Sequence, residues 1–160
     1  MSWFKRIFGA SNDVTSTDHM KQLNERVTAI KAAGSVDGEH YVESVDKIKQ
    51  LKREEKYGEA IDLLLKCINA TEAESSKANS IPLHSEEFSW LSEGRTNNGW
   101  GVAPWYYEQL AIIYRKDKQY AKEVEILERY EKQRKAPGIG PQKLAERLAK
   151  ARTLLNKSRA

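Results

Sequence analysis

Two stretches of this chain carry the same pattern, and that repetition limits the fold more than any other feature. They are KIKQLKREEKYGEAIDLLLKCI, Lys47 to Ile68, and YYEQLAIIYRKDKQYAKEVEILERY, Tyr106 to Tyr130. Each reads as an apolar-periodic helix, a short polar break ending in Tyr57 or Tyr120, and a second apolar-periodic helix. A hairpin of two such helices cannot bury its apolar face alone. It stacks on a neighbour, and a stack of hairpins leaves a groove that holds a binding partner. The pattern predicts an all-α protein used as an interaction module.

Composition fits that reading. The 160 residues suffice for one domain, and 31% charged against 39% apolar residues, with nine Gly and four Pro, suits a helical protein. No apolar run approaches the ~20 residues that span a bilayer. The N-terminal apolar stretch is too short for a secretory signal and has no small-residue cleavage site. The single cysteine, Cys67, excludes an internal disulfide. A cytoplasmic location is the expectation.

The net charge of +4 is unevenly spread. Met1 to Trp105 carries 13 Lys/Arg and 16 Asp/Glu, net −3, and Tyr106 to Ala160 carries 14 and 7, net +7. A basic C-terminal third suits an acidic protein, a nucleic acid or an anionic membrane as partner, or simply a solvated helix surface.

Along the chain, residues 1–17 read as an arm and linker, and residues 18–160 as one helical domain. In the arm, Trp3, Phe4, Ile7 and Phe8 share one side of a short helical turn opposite Lys5 and Arg6. That arrangement suits weak contact with a membrane interface, or packing on the domain itself or on a second copy. A first helix is predicted from Thr17 or Asp18 to Gly34, with Met20, Leu23, Val27 and Ile30 as its stripe. Ser35 to Gly38 is a turn. Tyr41 to Glu54 is a helix with Val42, Val45, Ile48 and Leu51 inward. Its partner runs from Tyr57 to about Thr71 and carries Ala60, Ile61, Leu64, Leu65 and Ile68.

Residues 72–104 are rich in small polar residues, with Asn97-Asn98-Gly99, Gly101 and Pro104, and read as an insert rather than a helix. Phe88, Trp90, Leu91, Trp100 and Val102 give it apolar anchors, and Ser85 to Leu91 is predicted as one short helix. Helical periodicity returns at Trp105, with Leu110, Ile113 and Tyr114 inward. A helix from Tyr120 to Lys135 buries Val124, Leu127 and Tyr130. Ala136-Pro137-Gly138-Ile139-Gly140 terminates it. Pro141 opens a last helix to about Asn156, whose stripe is Leu144, Leu148, Ala151 and Leu155 and which suits a C-terminal cap.

These hairpins resemble the tetratricopeptide repeat, whose spacing is W-x2-L-G-x2-Y, then A-x3-F, then P. Tyr107, Leu110, Ala111 and Tyr114 stand at the first four places of the second hairpin, Tyr120 at the aromatic before its second helix, and Leu127 at the Phe. Glu123 replaces the small Ala. In the first hairpin Tyr57, Ala60, Leu64 and Cys67 match the second helix, while Ser44 and Lys47 stand where Trp and Leu belong. The anchor tyrosines are 63 residues apart, where a tandem array gives about 34. The resemblance therefore covers roughly 40–70 and 105–135 and implies an irregular, short α-solenoid of antiparallel hairpins with an insert between them. It further implies a groove lined by the first helix of each hairpin: Lys49, Lys52 and Arg53, then Ile112, Arg115 and Lys116. The Lys/Asn pattern with which some members clamp a C-terminal carboxylate is absent, because Val45, Lys49, Glu108 and Ile112 fall at those places.

Chemistry for catalysis is not visible. No G-x-x-x-x-G-K-[ST] or G-x-G-x-x-G occurs. His19, His40 and His84 are scattered and form no metal-ligand pair, and Cys67 lies in an apolar helix face. Glu123, Glu125, Glu128 and Lys132 read as a solvated face of i,i+4 pairs. No enzyme, metal, cofactor or small-molecule substrate is expected. The aromatic cluster Trp90, Trp100, Trp105, Tyr106 and Tyr107, beside Arg95, Arg115 and Lys116, suits a protein contact, base stacking, or packing of the insert.

The expected function is a tetratricopeptide-like adaptor that binds a protein or peptide segment through a basic groove and the aromatic insert, and the groove suits an acidic segment among others. The partner-binding residues would be Lys49, Lys52, Arg53, Trp100, Trp105, Ile112, Arg115 and Lys116. The alternative is a nucleic-acid-associated protein using the basic C-terminal third.

Overall fold

The computed structural model of the chain describes residues 12–80 and 100–160. Among them are six α-helices: α1 (Asn12–Ala33), α2 (Val45–Arg53), α3 (Tyr57–Ser80), α4 (Pro104–Lys116), α5 (Tyr120–Glu131) and α6 (Gly140–Arg159). One antiparallel ribbon, β1 (Ser35–Val36) and β2 (Glu39–His40), joins α1 to a 3₁₀ turn, Tyr41–Ser44, that leads into α2. The protein is all-α, with sequential helices packed on one another: α2 on α3, α3 on α4, α4 on α5 and α5 on α6. In addition α1 lies on α3, and α4 touches α6.

The two repeated stretches are helical hairpins whose turns agree atom for atom, 63 positions apart. Lys56 N donates to Leu51 O at 2.9 Å, and Gln119 N donates to Tyr114 O at 2.8 Å. Glu55 and Lys118 stand in the left-handed region at φ 57° and 55°. This reversal satisfies carbonyls that the end of a helix would otherwise leave without partners. Each second helix then begins alike, Ala60 N bonding to Lys56 O at 3.0 Å and Glu123 N to Gln119 O at 3.1 Å.

The core follows the predicted stripes. Ile48, Ala60, Leu64, Cys67 and Ile68 are buried in the first hairpin, Leu110, Ala111, Leu127 and Tyr130 in the second, and Leu144, Leu148 and Ala151 on α6. Burial of this apolar surface, at about 25 cal/mol per Å2, is the main force holding the helices together.

Several boundaries differ from the sequence reading. The first helix starts at Asn12 rather than near Asp18, since residues 12–17 hold no Gly or Pro to stop it. Of the expected stripe on α1, Leu23 and Ile30 are buried, while Met20 and Val27 are exposed. Residues 35–40 are a ribbon rather than a bare turn, because Asp37 and Gly38 both take positive φ, 51° and 94°, as a two-residue hairpin requires. Tyr41–Ser44 is 3₁₀ rather than α, and Val42 points out. Helix α5 stops at Glu131, four residues short of Lys135, and α6 continues to Arg159.

The largest correction concerns α3. It runs on to Ser80 instead of ending near Thr71, so residues 72–80 belong to the helix and not to an insert. Its small polar residues face an extended strand, residues 100–103. Asn79 accepts from Trp100 N (2.9 Å) and donates to Trp100 O (2.8 Å), and Ser75 Oγ donates to the same carbonyl (2.6 Å). Ala103 N donates to Thr71 Oγ1 at 2.9 Å. On the strand's other side Val102 N donates to Arg134 O at 3.0 Å. Thr71, Ser75 and Asn79 recur every fourth residue, one face of a helix, and bind the main chain of a strand that a larger side chain would hold away. The expected helix Ser85 to Leu91, its aromatic neighbours, and the arm residues Trp3, Phe4, Ile7 and Phe8 lie outside the described residues.

Candidate functional site

Side chains of α2 and α6 reach α4. Lys52 on α2 donates to Gln109 Oε1 on α4. Lys143 Nζ on α6 lies 2.7 Å from Glu108 Oε1 on α4. Lys116, at the end of α4, donates to the hydroxyl of Tyr57, sits 4.6 Å from the centre of its ring, and lies 3.8 Å from Glu55. Lys49 is exposed, 3.7 Å from Asp46. Arg53 is exposed at the end of α2 and Ile112 is half-buried on α4. Seven of the eight residues expected to bind a partner are on these two helices, Lys49, Lys52 and Arg53 on α2 and Trp105, Ile112, Arg115 and Lys116 on α4, with Lys52 to Gln109 joining the two.

Burial pushes the Lys52 ammonium below its usual range, with the charge of Glu108 opposing that shift. The hydrogen bond to Tyr57 pushes Lys116 the other way.

Arg115 does something the sequence did not suggest. Its Nε donates to Glu123 Oε2 at 2.9 Å, and its Nη2 lies 2.8 Å from Oε1. Arg147 of α6 approaches the same Oε1 at 3.1 Å. The side chain of Glu123 is 0% exposed, those of Arg115 and Arg147 29% and 20%. Glu123 is therefore not part of a solvated face. It stands inside the helix sandwich as the bridge between α4, α5 and α6. Burial, and then the nearby Arg115, hold the Arg147 guanidinium below its usual range.

Trp100 is elsewhere, whereas Trp105 is on α4 itself, one turn before Gln109. The main chain of Trp100 is bound by Asn79 near the far end of α3, whereas Tyr57, beside Lys116, begins α3; the rise between them is about 33 Å. Trp105 stacks edge-on against Tyr106 with ring centres 5.1 Å apart. Tyr106 meets Tyr41 in the same manner at 5.4 Å, and its hydroxyl donates to Tyr41 O at 3.0 Å. Tyr41 in turn donates to the buried Glu74 at 2.7 Å, and His40 lies 2.8 Å from that carboxylate's other oxygen. This chain of rings ties the ribbon to α3 and α4. Tyr107 donates to Glu72 at 2.7 Å, and Glu72 also receives Arg129 at 2.7 and 2.8 Å, so α3, α4 and α5 are pinned at one point.

Sequence reasoning missed Lys143 and Arg147 of α6 as members of the basic face, and placed Glu108 in the groove without its partner Lys143. One signal was available for the buried cluster. Glu123 stands where the repeat pattern requires a small residue, and a carboxylate there needs cations from both neighbouring helices.

Among the described residues, no three His, Cys, Asp or Glu side chains gather where a metal could be held, and no helix is long and apolar enough to cross a membrane. The fold and the basic face define an all-α protein built of packed helical pairs. No protein-family model, curated protein or solved structure matches the chain.

Proposed function

We propose that α2 to α6 form a short tetratricopeptide-like solenoid and that the protein is a cytoplasmic adaptor binding an acidic polypeptide segment across α2 and α4. The agreement of the two hairpin turns at a constant offset of 63 residues supports the repeat. The observation that carries the function is the side-by-side placement of Lys49, Lys52 and Arg53 with Ile112 and Lys116. A half-buried Ile112 flanked by cations fits a segment with an apolar side chain between acidic ones. Trp100 stands apart from this face, where Asn79 binds its main chain, whereas Trp105 is a half-buried residue of α4 one turn before Gln109.

A selection of random peptides on the immobilised protein tests the reading. Acidic sequences should be enriched on the wild type and lost on Lys49→Glu/Lys116→Glu, two exposed positions whose reversal leaves the core intact. Enrichment of no peptide, together with binding of single-stranded DNA that weakens steeply with salt, would replace the adaptor by the nucleic-acid alternative.

A further inference from the structure

We infer that Glu108 occupies, in the unbound protein, the seat that a carboxylate side chain of the partner takes on binding. The inference rests on the adaptor reading and names what the face selects. On this face Lys143 of α6 pairs with Glu108, Arg115 of α4 and Arg147 of α6 pair with Glu123, and Lys52 of α2 donates to Gln109, the neighbour of Glu108. Four cations against two carboxylates leave an excess of two positive charges on this face. Glu123 is fully enclosed and holds both arginines, so it cannot exchange its partners with anything from outside. Glu108 can: its side chain is 17% exposed, and its partner Lys143 is 61% exposed on a flexible stem.

An incoming Asp or Glu would draw Lys143 and Lys52 to itself while Glu108 turns to solvent. The exchange replaces one ion pair with another, so affinity stays modest, and an uncharged residue at that place leaves Glu108 where it is. The same geometry disfavours a polyanion. A phosphodiester chain uses a row of exposed cations, whereas here the excess charge is gathered around one carboxylate that repels it.

The test compares two pools of short random peptides, one with a fixed central Glu and one with Gln, on wild type, Glu108→Gln and Lys143→Gln. Removing the internal competitor should raise the affinity of E108Q for the Glu pool about five-fold over wild type, with the Gln pool unchanged. K143Q, which keeps Glu108 and removes its cation at an exposed position, should lose the preference for Glu with an unaltered thermal midpoint. Equal response of both pools to E108Q, or a Glu preference that survives K143Q, overturns the role of Glu108 while leaving peptide binding standing. Binding of neither pool by any of the three proteins overturns the adaptor reading and this inference with it.

Discussion

Ala60 and Glu123 hold the same position in the two hairpins, 63 residues apart, and both are fully buried. In the first hairpin a methyl group fills the place and α2 and α3 close over it. In the second a carboxylate fills it, and Arg115 and Arg147 come in from α4 and α6 to meet the charge. One exchange at one repeat position thus turns an apolar contact into an ionic junction of three helices.

Removing Glu123 should cost more than its pairs contribute. Glu123→Ala leaves two partly buried guanidiniums without their anion, and the expected loss is about 3–5 kcal/mol by urea unfolding. Replacing all three residues by apolar ones of similar volume should restore most of it. A loss below about 1 kcal/mol for the single variant would mean that solvent already reaches the junction.

Gly101 tests the seat of the strand. A Cβ there would lie 2.1 Å from Ala136 N and 2.4 Å from the carbonyl carbon of Lys135, both main-chain atoms. Gly101→Ala should lower stability by at least about 1–3 kcal/mol, read as a fall in thermal midpoint. Gly58→Ala, on α3 with open space around it, should instead stabilise by about 0.5–1 kcal/mol.

Asn79→Ala removes the two hydrogen bonds that its side chain makes to the Trp100 main chain, one to N–H and one to C=O. The expected loss is about 1–3 kcal/mol, with hydrogen exchange at the Trp100 amide faster by a corresponding factor. Exchange at α5 amides should not change if the bond is local.

Alkali should unfold the protein through its tyrosines. Burial raises Tyr41 from an ordinary value of 10.0 to about 12, and raises Tyr106 and Tyr107 further. A folded-state pKa above the unfolded one means that the folded state keeps its proton longer. The stabilisation is complete below pH 10 and is lost as pH rises through about 12. Urea midpoints measured across that window, alongside tyrosinate absorbance, should fall together, and Tyr41→Phe should flatten the early part of the fall.

The helices were legible because their apolar residues recur at helical spacing, as with Leu64, Ile68, Leu144 and Leu148. Breaks at Glu55 and Lys118 were legible from their polarity. What escaped was the meaning of small polar residues. Ser75 and Asn79 carry low helix propensity and read as a loop, and Thr71 as the helix end, yet all three lie on a helix because an extended main chain lies against them. Propensity describes a residue beside water, and tertiary contact overrode it here. Glu123 escaped for a related reason: alternating charge looks like a solvated face unless the partners on other helices are known. Lys143 and Arg147 were read only as part of a polar surface, since nothing in local spacing brings α6 against α4.

Trp100 and the end of α3 are joined by the side chain of Asn79, and residues 81–99 depart and return at that junction. For the evolution of the chain this is a socket. The two ends of the intervening stretch are held together at this junction, and each doubling of a loop closed between fixed ends adds about 0.6 kcal/mol of closure entropy. New sequence can be spliced there, lengthened or exchanged while the hairpins keep their registers, so this is where relatives of the protein should differ most in length.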